Sequence, residues 1–429
     1  MGSQHKPPPI DLSGLYPLPA LPTPSSRPVE PAAVPVTPPV TPPLPGQSAR
    51  IDSERPGYDQ SGPWVVTGIR EYDGAMEWEL PRDAVRFIGG ASQKRCEIWL
   101  PERGLSATHF MLERRERILR LYDLHSAHGT WVMDSRVATA DLRPGSKFTA
   151  RPVTFVAMND AMRHHRPELV EILGARWIHS PDWLMVEAAG SGHMVITGEA
   201  GCEQERLAVA IHEMSPRQVR DLIELDLVPQ DRGRLVELIR RAGKDGASVG
   251  ATVVLRLRPS ASRLDETFLS MLYAPAYGIR VIVLANTSDD ARRALGEGID
   301  SLCQHVLLRP LAYRKDEIDQ LLDRRFAVRD AAHLRAADLL DDNQAALQAY
   351  SWPGNLAELR LVADILAAYE TQGGWRGVLR VIDKPRSTMQ DHFDRIGLKT
   401  IRMDGSRRGT PGYSFFKPSP GETAEPGSK

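Results

Sequence analysis

Short runs of alternating apolar and polar residues fill positions 64–158: Trp64-Val65-Val66, Val85-Arg86-Phe87-Ile88, Glu97-Ile98-Trp99-Leu100, Phe110-Met111-Leu112, Leu119-Arg120-Leu121-Tyr122, Thr130-Trp131-Val132 and Val153-Thr154-Phe155-Val156. Strands of this length between turns predict an all-β sandwich. From about Leu169 the runs become predominantly apolar, at residues 193–197, 251–255 and 280–285, with helix-period stretches between them. Strands buried on both faces and interleaved with helices predict an α/β domain with a parallel sheet. Beyond Arg314 no strand pattern remains, and helices are expected over 316–326, 331–340, 343–350 and 355–369.

Proline changes the picture at the N-terminal end, since 17 of the 34 prolines precede residue 64. Each removes a backbone donor and fixes φ, so residues 1–62 are expected to be extended and disordered, with no packed core. Lys+Arg (54) against Asp+Glu (55) leaves a net charge of −1, so any nucleic-acid-binding surface has to be local. No run approaches the roughly 18 apolar residues of a membrane helix, and no apolar stretch follows Met1-Gly2-Ser3. A cytoplasmic protein with no membrane partner is expected. Cys96, Cys202 and Cys303 lack the spacing of a disulfide framework or a cysteine zinc site, and no metal site is expected.

Phe87-Ile88-Gly89-Gly90, Leu105-Ser106-Ala107-Thr108-His109 and His125-Ser126-Ala127-His128-Gly129-Thr130-Trp131, in that order and spacing, resemble the forkhead-associated (FHA) domain. The resemblance implies a sandwich whose loops bind a phosphothreonine peptide through an arginine, a serine, a second basic residue and an asparagine. Phosphate recognition needs such charge-assisted donors. Here Gly90, Ala107 and His128 stand at the arginine, basic and asparagine positions, and Ser106 is retained. His109 matches the family's structural histidine. Ser106, His128 and Gly129 are therefore the candidates for a degenerate phosphopeptide site, and Lys94 and Arg95 are basic residues that could approach it.

Residues 193–197 run into Gly198-Glu199-Ala200-Gly201-Cys202-Glu203-Gln204-Glu205 and then a helical stretch, the layout of a phosphate-binding loop. Such a loop needs a glycine and then a lysine where Glu203 and Gln204 stand, because backbone amides close on the phosphates and the lysine reaches the β and γ positions. A carboxylate there repels polyphosphate. This loop, Leu308-Arg309-Pro310-Leu311-Ala312-Tyr313-Arg314-Lys315-Asp316-Glu317-Ile318 and Tyr350-Ser351-Trp352-Pro353-Gly354-Asn355-Leu356-Ala357-Glu358-Leu359 resemble the AAA+ domain of sigma-54-dependent transcription activators over about 169–372. The resemblance implies an ATPase fold, but the departures fall on catalytic parts. Arg256-Leu257 replaces the family's magnesium-binding Asp-Glu pair, and Ala357 replaces its sensor arginine. Its paired trans-acting arginines have no counterpart around 297–302, and its sigma-contacting loop is missing between Met214 and Gly250. Gly198, Gly201, Glu203, Gln204, Glu205 and Asn286 mark the degenerate nucleotide site, Asn286 either as the family's sensor asparagine or as a cap of the next turn. No cofactor is expected, and ATP binding is disfavoured.

Residues 375–398 resemble the Fis-type helix-turn-helix that ends these activators. With Ser387 as N-cap and Met389, Phe393 and Ile396 packing inward, the candidate DNA contacts are Arg386, Ser387, Thr388, Gln390, His392 and Arg395. Seven basic against three acidic residues over 384–408 support phosphate contacts.

The expected organisation is a proline-rich segment (1–62), an FHA-like β-sandwich (63–160), a degenerate AAA+ α/β core (169–311), a helical lid (312–372), a helix-turn-helix (373–404) and a disordered tail (405–429). It reads as a non-enzymatic, DNA-binding transcription regulator. The AAA+ part would serve as a platform for homo-oligomerisation or a partner, and the FHA-like domain would take a protein partner. The alternative is an FHA scaffold in a Ser/Thr-kinase pathway that does not bind DNA.

Overall fold

A computed structural model describes residues 64–403, except 102–103, 116–117, 175–179 and most of 227–277, together with 412–418 and 424–425. Within 227–277 it describes 233, 237, 250–258, 263–264 and 269–270. The expectations for the proline-rich segment, and for most of the stretch lacking a sigma-contacting loop, lie outside the described residues.

The alternating segments pair into two facing sheets. Their strands are β1 (Gly68–Glu71), β2 (Glu77–Glu79), β3 (Arg86–Gly90), β4 (Ile98–Trp99), β5 (Phe110–Arg115), β6 (Ile118–Asp123), β7 (Thr130–Val132), β8 (Ser135–Val137), β9 (Thr139–Leu142), β10 (Lys147–Ala150) and β11 (Val153–Met158). One sheet runs β2-β1-β11-β10-β7-β8 and the other β4-β3-β5-β6-β9. Phe110 meets Phe148 edge-on at 5.2 Å, and Phe148 stacks on Phe155 at 4.9 Å, which fills the space between the sheets. Trp64-Val65-Val66 is not a strand; pairing with β11 begins at Gly68, opposite Met158.

Helix α1 (Asp160–Leu173) follows β11 at once because the Asn159 side chain accepts from Met162 N at 2.9 Å. Ser180 caps α2 (Pro181–Ala189) in the same way. Val156 and Met158 leave the sandwich core and join Met162, Leu184 and Ile196 in the next one. Asp182, 1% exposed, accepts from Arg70 Nε at 3.4 Å, the Asp73 amide at 2.9 Å and Arg166 Nε at 2.9 Å. A Cβ on Gly145 would fall 2.2 Å from Ala189 Cβ. The sandwich and the α/β domain therefore share a packed, charge-matched boundary.

That domain has the parallel sheet β13-β14-β15-β12-β16, built from β12 (His193–Thr197), β13 (Leu222–Asp226), β14 (Thr252–Arg256), β15 (Arg280–Ala285) and β16 (Cys303–Leu307). The edge strands β13 and β16 are half exposed, so they lack the apolar run that marks the inner strands. Helices α3 (Gln204–Glu213), α4 (Ser288–Leu295) and α5 (Ile299–Leu302) connect them.

Arg314, 1% exposed, opens the lid and donates to Ile172 O at 3.0 Å and Glu171 O at 2.8 Å, closing the end of α1. Helices α6 (Ile318–Val328), α7 (Asp341–Ala349), α8 (Asn355–Gln372), α9 (Trp375–Val381) and α10 (Arg386–Ile396) then share one core around Phe326, Trp352, Leu366 and Phe393. The helix expected over 331–340 is a single tight turn at Ala336–Asp338. Asp323 takes the Ala336 amide at 2.7 Å and Leu339 pairs with Phe416, so tertiary bonds override helix propensity.

Two further expectations fail beyond Arg314. A strand β17 (Ile401–Met403) pairs with β18 (Tyr413–Ser414) and β19 (Ala424–Glu425), and residues 412–418 are not a loose tail. Phe415 lies edge-on to Tyr369 at 4.9 Å and Phe393 at 5.1 Å. Its amide donates to Glu370 at 3.0 Å, and its carbonyl accepts from Asn343 at 2.9 Å and Leu340 N at 3.1 Å.

Candidate functional site

The loop 198–203 turns from β12 into α3 like a phosphate cradle, and Glu203 and Gln204 are engaged with the chain's own groups. Gln204 donates its amide to Gly198 O at 2.9 Å and Ala285 O at 2.7 Å, which satisfies the backbone ends of β12 and β15. Glu203 keeps the left-handed backbone that favours glycine (φ 67). Its carboxylate lies 3.0 Å from Arg360 Nη1 and 3.7 Å from Arg206 Nε. The Arg360 contact is an ion pair without hydrogen-bond alignment. Arg360 also donates to Glu171 at 2.6 Å, so one guanidinium on α8 ties the loop, α1 and the lid together.

The lid sits directly on the loop. Gly201 has φ +82, and a Cβ there would fall 2.1 Å from Gly354 O. Ala357 N donates to Gly201 O at 3.1 Å, while Asn355 donates to Ala200 O at 2.9 Å and accepts from Leu311 N at 2.8 Å. The Trp-Pro-Gly-Asn segment thereby packs against the loop at Ala200 and Gly201.

Arg256 closes the other side of the cleft. It lies 2.9 Å from Asp226, its register partner on β13, 2.8 Å from Glu205 and 3.6 Å from Glu224. Burial alone would lower its pKa, but the Asp226 hydrogen bond and the neighbouring carboxylates raise it. A fixed guanidinium thus takes the carboxylates that a metal ion would need. The remaining cleft, about 450 Å³, is lined by Gly201, Glu203, Arg256, Asn286 and Ala357 among others. Asn286 is exposed, and the cap of α4 is Thr287, which accepts from Asp290 N at 3.1 Å.

In the sandwich, Ser106 Oγ accepts from Ala127 N at 3.0 Å, and buried His109 places Nε2 3.3 Å from Gly129 O. Burial lowers the His109 pKa, so it braces the loops as a neutral ring. Ser106, His128 and Gly129 do come together at one end of the sandwich. His128 is exposed and gives its carbonyl to Trp131 Nε1 at 3.0 Å. A Cβ on Gly90 would fall 2.6 Å from Ala107 O, so that position takes no side chain without shifting the neighbouring loop.

On α10, Arg386, Ser387, Thr388, Gln390 and Arg395 are exposed, and Met389, Phe393 and Ile396 are buried. Ser387 is not the N-cap: the helix begins at Arg386, after Pro385, with no side-chain cap. The Arg386 guanidinium lies 5.6 Å from the Trp375 ring, which packs 5.8 Å from Phe393. His392 departs from the expected face, with Nδ1 3.2 Å from Glu358 Oε1 on the lid. Sequence reasoning missed Arg360 and Glu358, because a charged residue on a helix carries no mark of its distant partner.

The FHA domain family model matches residues 87–150. Over 198 residues the chain is 26% identical to the Nif-specific regulatory protein of Klebsiella pneumoniae, covering 39% of this chain and 37% of that protein. Over 215 residues it is 28% identical to the C4-dicarboxylate transport transcriptional regulatory protein DctD of Pseudomonas aeruginosa, covering 42% and 46%. Among solved structures, NtrX from Brucella abortus in complex with ATP is similar at 17% identity and a TM-score of 0.34, over 57% of this chain and 61% of that one. The chain spans less than half the length of these curated relatives. It carries an FHA domain followed by a region homologous to sigma-54-dependent transcriptional regulators. Among the described residues, no helix is long and apolar enough to cross a membrane.

Proposed function

We propose that the chain is a DNA-binding transcription regulator whose AAA+ part does not hydrolyse ATP. That part is a fixed platform, for self-association or a partner, between an FHA domain that takes a protein partner and a helix, α10, that reads DNA. The observation that carries this reading is the self-filled cleft: Gln204 on Gly198 O and Ala285 O, Glu203 against Arg360, and Arg256 among Asp226, Glu205 and Glu224. ATP–Mg entering it would meet a carboxylate at the phosphates and find no free metal ligand on β14. The shared core of the lid and α10 supports the scaffold alternative, because the reader is not a free module.

Selection of duplexes from a promoter library, without nucleotide, tests DNA binding. Exchanging Arg386 and Gln390 for alanine should abolish the preference for the selected site, since a bidentate base contact is worth roughly 1–3 kcal/mol. Lys384→Ala should weaken selected and random DNA alike, as expected of a phosphate contact. Unchanged binding of both DNAs by the double variant would move the reading to the scaffold. For the FHA domain, with Gly90, Ala107 and His128 in place of the gripping residues, a peptide array should show less than about a tenfold gain on threonine phosphorylation, roughly 1.4 kcal/mol.

A further inference from the structure

His392 Nδ1 has two neighbours that ask opposite things of it: Glu358 Oε1 at 3.2 Å and Arg395 Nη2 at 2.8 Å. A ring nitrogen either carries a proton and donates or presents a lone pair and accepts. Glu358 needs the proton on Nδ1, and Arg395 needs the lone pair. Both bonds cannot form at once.

We propose that His392 is a proton-operated positioning residue for Arg395, so that acidification adds one cation to the nucleic-acid face of α10. The two partners differ in freedom. Glu358 is buried, holding Gly354 N at 2.9 Å and the Tyr350 hydroxyl at 3.1 Å. Arg395 is exposed, and its other bond is to the Asp391 carbonyl at 3.2 Å. With the ring neutral, Nδ1 accepts from Arg395, the ring proton sits on Nε2, and the guanidinium is held against the helix. With the ring protonated, Nδ1–H donates to Glu358, and like charge drives Arg395 toward solvent. Among the described residues, the titratable and charged groups bonded to the ring or to its partners are Glu358 and Tyr350 on the lid side and Arg395 on α10, and Asp391 and Asp394 flank His392 along the helix.

The consequence for DNA rests on the reading of α10 given above. Freed Arg395, nine residues from Arg386 and so on the other side of the exposed surface of α10, adds a second point of contact, and binding gains about one phosphate contact. The full chain, labelled with 15N histidine, is compared at about pH 8 and about pH 5. His392→Leu identifies the signal. At the higher pH the ring should carry its proton on Nε2, and a neutral ring protonated on Nδ1 overturns the proposal.

Salt titrations on one duplex give the second readout. Acidification should steepen the wild-type slope of log K against log salt by about 0.9. His392→Leu should be steep, and Arg395→Ala shallow, at both pH values. A wild-type slope that ignores pH, or a pH response that survives in Arg395→Ala, also overturns the proposal. If no DNA binds at either pH, the DNA reading fails while the ring measurement still decides the switch.

Discussion

Exchanging Phe415 and Phe416 together for alanine is expected to unfold the C-terminal helical region at room temperature. Both rings are buried, Phe415 between Tyr369 and Phe393 and Phe416 6.0 Å from Phe326. Each buried Phe→Ala change costs about 3–5 kcal/mol, and adjacent sites add imperfectly. Even a partial sum rivals the roughly 5–15 kcal/mol that holds a domain together. The backbone matters as well: Asn343 binds both Lys399 O and Phe415 O at 2.9 Å, so displacing residues 412–418 loosens the chain just after α10. Urea unfolding followed by the fluorescence of Trp352 and Trp375 reads this directly. A double variant within about 0.5 kcal/mol of wild type, typical of a surface change, would mean that 412–418 is a loose tail after all.

Arg360→Leu is expected to destabilise the protein by about 2–4 kcal/mol, because removing one partner of a buried ion pair leaves the others uncompensated. The loss falls below the fully buried limit because Glu171 keeps 21% of its side-chain surface and Glu203 12%. The complementary change, Glu203→Gly, should be nearly neutral. It relieves a left-handed non-glycine backbone, and Arg360 retains Glu171 at 2.6 Å. This asymmetry separates a latch from a general effect of charge. Hydrogen exchange in residues 198–203 should rise in both variants, which both lose the Glu203 contact, whereas the start of α8 should loosen in Arg360→Leu alone, which also loses Glu171.

How much of this the sequence disclosed depends on the range of the interactions involved. Inner strands such as Val281 to Ala285 are apolar throughout and were legible, whereas the edges β13 and β16, half exposed, were not. The segment 331–340 has the composition of a helix, and only its tertiary bonds to Asp323 and Phe416 unmake one. Phe415 and Phe416 were hidden by the glycine, serine and proline around them. Within the candidate site, Glu203, Gln204 and Arg256 stood out as departures from a motif. Their partners Arg360, Ala285 and Asp226 come from distant positions that no local pattern connects. His392 has a spacing suited to an outer face, and only the packing of α10 on α8 turns its ring toward Glu358.

The central claim, a nucleotide cleft whose phosphate and metal positions are held by the chain's own charged and amide side chains, is tested most directly by titrating ATP–Mg into the full chain in a calorimeter. The account predicts no saturable heat, hence no dissociation constant below about 1 mM, a binding free energy of roughly −4 kcal/mol. Saturable binding with a sub-millimolar constant would contradict it, because ATP–Mg would then have tolerated Glu203 and displaced Gln204 from the Gly198 and Ala285 carbonyls.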